Sequence, residues 1–64
     1  MNNLKTFRQM YKISQAKLAK TLETTQQQIS LYETGRRKLD EDQIITICRE
    51  FHISADFLLG LQDQ

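Results

Sequence analysis

The chain has 64 residues and a formal net charge of +1, with one cysteine, one histidine and no proline. A chain of this length forms one small domain with a modest core. It buries only about 60% of the surface that it exposes when unfolded, so its stability is marginal unless the core is well packed or a partner assists. One cysteine excludes a disulfide framework, and one histidine excludes a metal site built from histidines and cysteines. One free thiol with no secretory apolar segment fits a reducing environment, so we expect a cytoplasmic protein. The longest apolar run is too short to span a bilayer, so we expect no membrane partner.

Charge is distributed unevenly along the chain. Residues 1–38 contain eight Lys/Arg and two acids, a net charge of +6, whereas residues 39–64 contain one arginine and six acids, a net charge of −5. Such a dipolar molecule can orient its basic half towards a polyanion. The alternative interpretation is an ordinary solvated surface of mixed charge.

The apolar spacing predicts an all-α domain of five short helices, because no stretch alternates with a period of two for long enough to form a strand. The first helix is expected over residues 3–11, with Asn2 or Asn3 as its cap. Its apolar stripe consists of Leu4, Phe7, Met10 and Tyr11.

The second and third helices are expected to be joined by a tight turn. Ser14 caps the second helix over residues 15–22, whose apolar positions are Ala16, Leu18, Ala19 and Leu22. The turn follows at Glu23 and Thr24, and Thr25 opens the third helix. Thr25 and Gln28 match the capping-box pattern. Ile29 and Tyr32 are predicted to face inward, whereas the outward positions are Gln26, Gln27, Ser30 and Leu31.

The remainder of the chain predicts a basic loop and two more helices. Gly35 ends the third helix, and the loop after it consists of Arg36, Arg37 and Lys38, with Leu39 as its anchor to the core. Asp40 caps a fourth helix over residues 41–51, and its core stripe is Ile44, Ile47, Cys48 and Phe51. Ser54 caps a short fifth helix that runs to Leu59. We expect one compact five-helix domain over residues 1–64, with its folded core at about 4–59.

Catalysis has little support in the sequence. Cys48 and His52 are four residues apart, but the apolar stripe of the fourth helix already includes Cys48. Glu41 and Asp42 are explained by the dipole at a helix N-terminus. The sequence contains neither a nucleophile elbow nor a glycine-rich phosphate loop. We therefore expect no enzymatic activity, no cofactor and no metal.

DNA binding has more support. Two helices joined by a turn of about three or four residues make a helix-turn-helix, whose second helix enters the major groove with its N-terminus first. Gln26 and Gln27 would then reach the base edges, where a glutamine bidentate to adenine discriminates by roughly 1–3 kcal/mol. A glutamine-rich helix start alone is more typical of a solvated surface, but together with the capped partner helix and the basic loop that follows the third helix it favours DNA binding.

Three segments together resemble the phage-repressor/Cro type helix-turn-helix family over about residues 4–59. They are Ser14-Gln15-x-x-Leu18-Ala19, then Thr25-Gln26-Gln27, then Ile29-Ser30-x-x-Glu33-x-Gly35. Residues 24–27 with Ile29 look like the recognition-helix start of lambdoid repressors that read their operators through glutamines. The resemblance implies five helices, a homodimer on a palindromic operator of double-stranded DNA, and transcriptional regulation, most often repression.

The resemblance also implies roles for single residues. Gln15 matches a phosphate contact, which a helix N-terminus favours on physical grounds too. Gln26 and Gln27 match base readers, with Ser30 and Leu31 on the same outward face. The positions assigned to the DNA backbone are Thr25, Gln28, Thr34, Arg36 and Lys38, with Arg37 in the same loop. Arg8 and Glu33 match a partly buried salt bridge.

Two departures from the family pattern leave alternatives open. Glu23 stands where the family often has glycine, so the turn either holds a strained left-handed residue or bends differently. Leu31 replaces a polar reader and could instead pack on a thymine methyl.

A protein-interaction module on the same fold, such as an antitoxin or a coregulator, is the alternative function. Phe57, Leu58 and Leu61 would form its contact patch, which we also expect to serve a two-fold dimer. The alternative is that these residues complete the core, since Phe57 and Leu58 are available for burial.

Overall fold

The computed structural model describes residues 2–61, which form five helices. They are α1 (Leu4–Met10), α2 (Gln15–Thr21), α3 (Gln26–Glu33), α4 (Glu41–Phe51) and α5 (Ala55–Leu58). Within this part of the chain there is no strand, and the all-α prediction is confirmed. The bounds of α4 agree with the prediction, whereas the other helices are one or two residues shorter because their ends adopt cap and turn conformations. None of the described helices is long and apolar enough to cross a membrane.

One hydrophobic core joins all five helices. Its members are Leu4, Phe7, Leu18, Ala19, Ile29, Tyr32, Ile47, Phe57 and Leu58. Around it pack the partly buried side chains of Ile13, Leu22, Leu39, Ile44, Cys48, Phe51 and Ile53. In a core this small each large side chain matters, since truncating a buried leucine or isoleucine to alanine typically costs about 2–5 kcal/mol.

Three residues expected in apolar stripes are exposed instead. Met10 and Tyr11 are 51% and 46% exposed, because α1 ends at Met10 and Tyr11 lies at its C-cap. The Tyr11 ring packs against the Phe7 ring at a tilt of 52°, with ring centroids 5.1 Å apart. Ala16 is exposed because it precedes the buried Leu18 by two residues, which is about 200° around a helix.

The contact patch predicted near the end of the chain is mostly core. Phe57 and Leu58 are buried, whereas Leu61 is 74% exposed and Leu59 is 37% exposed. The prediction of a patch formed by Phe57, Leu58 and Leu61 is therefore wrong for its first two members. They complete the core because α5 packs them against the rest of the domain.

The predicted caps are present at four helix starts. Ser14, Thr25, Asp40 and Ser54 each accept a hydrogen bond from the backbone N–H three residues later. A full capping box forms at α4, where Gln43 Oε1 also accepts a hydrogen bond from the Asp40 N–H at 3.0 Å. At α3 only half of the predicted capping box forms. The Thr25 hydroxyl oxygen accepts from the Gln28 N–H at 3.2 Å, but within residues 2–61 the Gln28 side chain does not bond to the Thr25 backbone.

Left-handed residues end the helices on both sides of the turn. Glu23, after α2, has φ +55°, and Gly35, after α3, has φ +80°. The N–H of Glu23 donates to the Lys20 carbonyl and that of Thr24 to the Ala19 carbonyl, which is a Schellman ending. Of the two alternatives for Glu23, the strained left-handed residue is the one observed. Such a conformation costs a non-glycine residue about 1–2 kcal/mol.

Candidate nucleic-acid interface

Helices α2 and α3 pack directly against each other across the turn of residues 22–25. Leu18 and Ala19 of α2 and Ile29 and Tyr32 of α3 are buried in the shared core. The inward face of α3 is thus fixed, and its opposite face is left to solvent. This is the arrangement of a helix-turn-helix.

The outward face of α3 carries the predicted base readers. Gln26, Gln27 and Ser30 are exposed, and Leu31 is half-buried beside them. Each glutamine amide has two N–H donors and an acceptor oxygen. Both glutamines stand in the first turn of α3, which is the part of a recognition helix that reaches base edges.

A chain of hydrogen bonds runs from this face into the protein. Gln26 Nε2 donates to Gln15 Oε1 at 3.4 Å, and Gln15 Nε2 donates to Glu33 Oε1 at 3.0 Å. The sequence interpretation missed both contacts of Gln15 and gave it only a phosphate role. A signal was available: Gln15 precedes the buried Leu18 by three residues, so it lies on the side of α2 that faces α3.

Arg8 and Glu33 form a salt bridge at the inner end of this chain. Arg8 Nε lies 2.6 Å from Glu33 Oε2, and the two side chains are 14% and 4% exposed. Arg8 also donates to the Ile13 carbonyl at 3.0 Å. The ion pair therefore joins α1, the segment before α2, and the end of α3, and Arg8 points into the domain.

The residues assigned to the DNA backbone differ in how free their polar atoms are. The Thr34 hydroxyl donates to the Ser30 and Leu31 carbonyls at 3.1 and 3.2 Å, so it donates to a phosphate only after rotating. Thr25 is exposed but its hydroxyl oxygen caps α3, and Gln28 is half-buried. Gln15 is engaged as described above.

The basic loop, defined as Arg36, Arg37 and Lys38, is fully on the surface. Its backbone is tied to α3, since the N–H groups of Arg36 and Arg37 donate to the Leu31 carbonyl at 3.0 and 3.2 Å. Within residues 2–61 none of the three cations forms a salt bridge. The loop therefore offers three solvated positive charges next to the C-terminal end of α3.

Cys48 and His52 do not form a catalytic arrangement. Cys48 is half-buried, and burial raises the pKa of its thiol above the ordinary value, which disfavours the reactive thiolate. His52 is exposed at the C-cap of α4. The described part of the chain contains no cluster of His, Cys, Asp or Glu able to hold a metal ion.

Comparison with known proteins agrees with this geometry. A family model described as "Helix-turn-helix" matches residues 4–58, which is most of the chain. The chain belongs to the repressor/Cro-type helix-turn-helix family. The resemblance inferred from the sequence is confirmed, and family membership indicates a DNA-binding domain of transcription regulators, typically without enzymatic activity.

A solved structure supports the fold. The chain is similar to a transcriptional regulator from Listeria innocua, with a TM-score of 0.85 and 24% sequence identity. The match covers 97% of this chain and 58% of that one, so this chain spans little more than half the length of the regulator. No curated protein matches the sequence significantly.

Proposed function

We propose that the chain binds double-stranded DNA sequence-specifically and acts as a transcriptional repressor, with α3 inserted in the major groove. The observation that carries this proposal is the exposure of Gln26 and Gln27 in the first turn of a helix whose other face is buried. A glutamine can bind adenine with two hydrogen bonds, donating to N7 and accepting from N6. Ser30 and Leu31, one turn later, are the further candidates for base contact.

The support behind α3 favours a reading role. Ile29 and Tyr32 anchor the helix in the core, Glu33 is held by Arg8, and Gln43 Nε2 donates to the Tyr32 hydroxyl at 3.0 Å. A helix held in this way loses little conformational freedom when it binds. Side chains on a rigid element can meet base edges with the accuracy that bidentate hydrogen bonds need.

Contacts with the DNA backbone would flank the readers. Arg36, Arg37 and Lys38 supply positive charge beyond the end of α3, and phosphate contacts of this kind fix the register and supply much of the affinity. Polar side chains complete the proposed backbone surface: Gln15, Thr25, Gln28 and Thr34.

A homodimer on a palindromic operator is the proposed assembly. The domain measures 27 × 23 × 21 Å, so two protomers side by side can hold their α3 helices about 34 Å apart, which is one turn of DNA. Leu59 and Leu61 are exposed apolar residues available to such an interface. We propose a cytoplasmic regulator that acts without a cofactor.

The substitution Gln27→Ala tests the reading role. We expect it to weaken binding to the preferred duplex by about 5- to 150-fold for each half-site, the equivalent of one lost bidentate contact per protomer, and to leave binding to random duplex unchanged. Fluorescence anisotropy with both duplexes at one salt concentration measures the two affinities. Gln9→Ala is the matched control, because Gln9 is an exposed helical glutamine on α1.

Two results would remove Gln27 as a base reader. One is an equal loss of affinity on both duplexes, which indicates a backbone contact. The other is the same loss in Gln9→Ala, which indicates a general effect of removing a surface amide.

A further inference from the structure

Asn2 connects the start of α1 with the end of α3. Its Nδ2 donates to the Tyr32 carbonyl at 3.0 Å, and its Oδ1 accepts from the Leu4 N–H at 3.0 Å. The next residue is tied elsewhere: Asn3 donates from its backbone N–H to the Leu58 carbonyl and from Nδ2 to the Phe57 carbonyl, both at 2.8 Å. Two adjacent asparagines thus hold two different helix ends.

The Tyr32 carbonyl lies where α3 passes into the basic loop. It also accepts from the Gly35 N–H at 3.2 Å, while the neighbouring Leu31 carbonyl accepts from Arg36 and Arg37. These bonds come from the backbone of the same segment. Within residues 2–61, Asn2 supplies the one side-chain hydrogen bond that reaches these two carbonyls from outside residues 30–39.

Side-chain packing does little to fix the loop before Leu39, whose side chain packs against the core. An open cavity of about 260 Å³ lies beside it, lined by Asn2, Gly35, Arg37, Lys38, Leu39 and Leu59. Nothing lies within 4 Å of the place where a Cβ on Gly35 would stand. A segment with so few packing contacts depends on its hydrogen bonds for its position.

We propose that Asn2 is a positioning residue for the DNA-backbone contacts of the basic loop. By holding the Tyr32 carbonyl, Asn2 sets where Arg36, Arg37 and Lys38 leave α3 relative to α1. The inference rests on the proposed function, since the position of these cations matters when they meet phosphates. Asn2 is far from the loop in sequence and makes no contact with DNA, so its effect on binding is indirect.

The substitution Asn2→Ser separates the two bonds of Asn2. A serine hydroxyl still accepts from the N–H two residues later, but it is too short to reach the Tyr32 carbonyl. Asn3→Ser is the matched control, because it shortens the adjacent side chain in the same way and removes the Nδ2 group that donates to α5.

The dissociation constants are measured with the preferred and a random duplex over a range of salt, at a temperature where circular dichroism shows each variant folded. We expect Asn2→Ser to raise both constants by the same factor, about three- to tenfold, with a shallower salt dependence. Asn3→Ser is expected to lower the melting temperature and to leave both constants unchanged.

A second pair of variants covers the case in which Asn2→Ser does not fold. Asn2→Asp keeps the acceptor for Leu4 and lacks the donor for Tyr32, and Asn3→Asp adds the same charge one residue away. A larger loss of affinity in Asn2→Asp than in Asn3→Asp supports the inference.

Four results would overturn the inference. Unchanged constants in Asn2→Ser, or a loss confined to the preferred duplex, contradict it and leave the proposed function standing. Equal losses in Asn2→Asp and Asn3→Asp contradict it in the same way. Wild-type protein that binds neither duplex overturns the proposed function, and this inference with it.

Discussion

Glu33, at the C-terminal end of α3, is 4% exposed and paired with Arg8, whereas Gln26 and Gln27, at the N-terminal end, are exposed. The inner end has its partners within the chain. The outer end carries exposed side-chain amides, and its one link to the inner end is the 3.4 Å hydrogen bond from Gln26 to Gln15. One eight-residue helix thus combines a structural end with an end available to a ligand, and substitutions at the two ends should have different consequences.

The largest expected effect is on the inner end. Arg8→Ala leaves the nearly buried Glu33 carboxylate without its cation, and breaking a buried ion pair costs about 3–5 kcal/mol. For a domain of this size we expect the melting temperature to fall by roughly 12–40 °C. Thermal unfolding followed by circular dichroism measures the loss.

A double variant is the control for Arg8. Arg8→Met combined with Glu33→Leu removes both charges and should recover part of the stability, because no charge is left buried alone. An unchanged melting temperature with loss of DNA binding in Arg8→Ala would reverse the assignment and make Arg8 a DNA contact.

A smaller effect is expected just beyond the end of α3. Arg36→Ala should weaken binding about three- to tenfold per protomer on preferred and random duplex alike, and reduce the salt slope by about one charge per protomer. Arg49→Ala is the matched control, since Arg49 is the one Lys/Arg residue among residues 39–64 and is exposed on α4. Sequence-dependent loss in Arg36→Ala, or the same loss in Arg49→Ala, would argue against a phosphate contact.

The contrast between the two ends of α3 also shows which features a sequence can predict. Apolar spacing and cap residues predicted the five helices correctly, because the residues at the apolar positions, such as Leu4, Phe7, Ile29 and Ile47, pack together in one core. The sequence did not predict the two hydrogen bonds of Gln15 or the exposure of Met10. The spacing of Gln15 to Leu18 indicates that Gln15 faces α3, but its hydrogen-bond partners depend on the angle between the helices. The exposure of Met10 depends on where α1 ends, which local patterns do not specify.

For the candidate site, the sequence pattern predicted which face of α3 is exposed but not which residue contacts a base. The residues of α3 that face outward follow from helical periodicity, since the inward positions are filled by Ile29 and Tyr32. Which of Gln26, Gln27, Ser30 and Leu31 contacts a base depends on the DNA, whose position no pattern in the chain contains.

The smallest expected effect is in the turn that leads to the outer end. Glu23→Gly relieves a left-handed glutamate and should stabilise the domain by up to about 1 kcal/mol, since the strain removed exceeds the extra entropy of glycine. Urea unfolding measures the change. Lys17→Gly, in the exposed middle of α2, is the control and should destabilise by about 1 kcal/mol. Destabilisation by Glu23→Gly would show that the glutamate side chain contributes more than its backbone strain costs.

Selection of bound duplexes from a random pool tests the outer end most directly. The wild-type protein and the Gln26→Ala/Gln27→Ala variant are compared at one moderate salt concentration. If the outer end of α3 reads bases, the wild type enriches a palindromic consensus containing adenines, and the variant loses the preference at those positions while still binding DNA. No enrichment by the wild type, or the same consensus from both proteins, would contradict base reading by these glutamines.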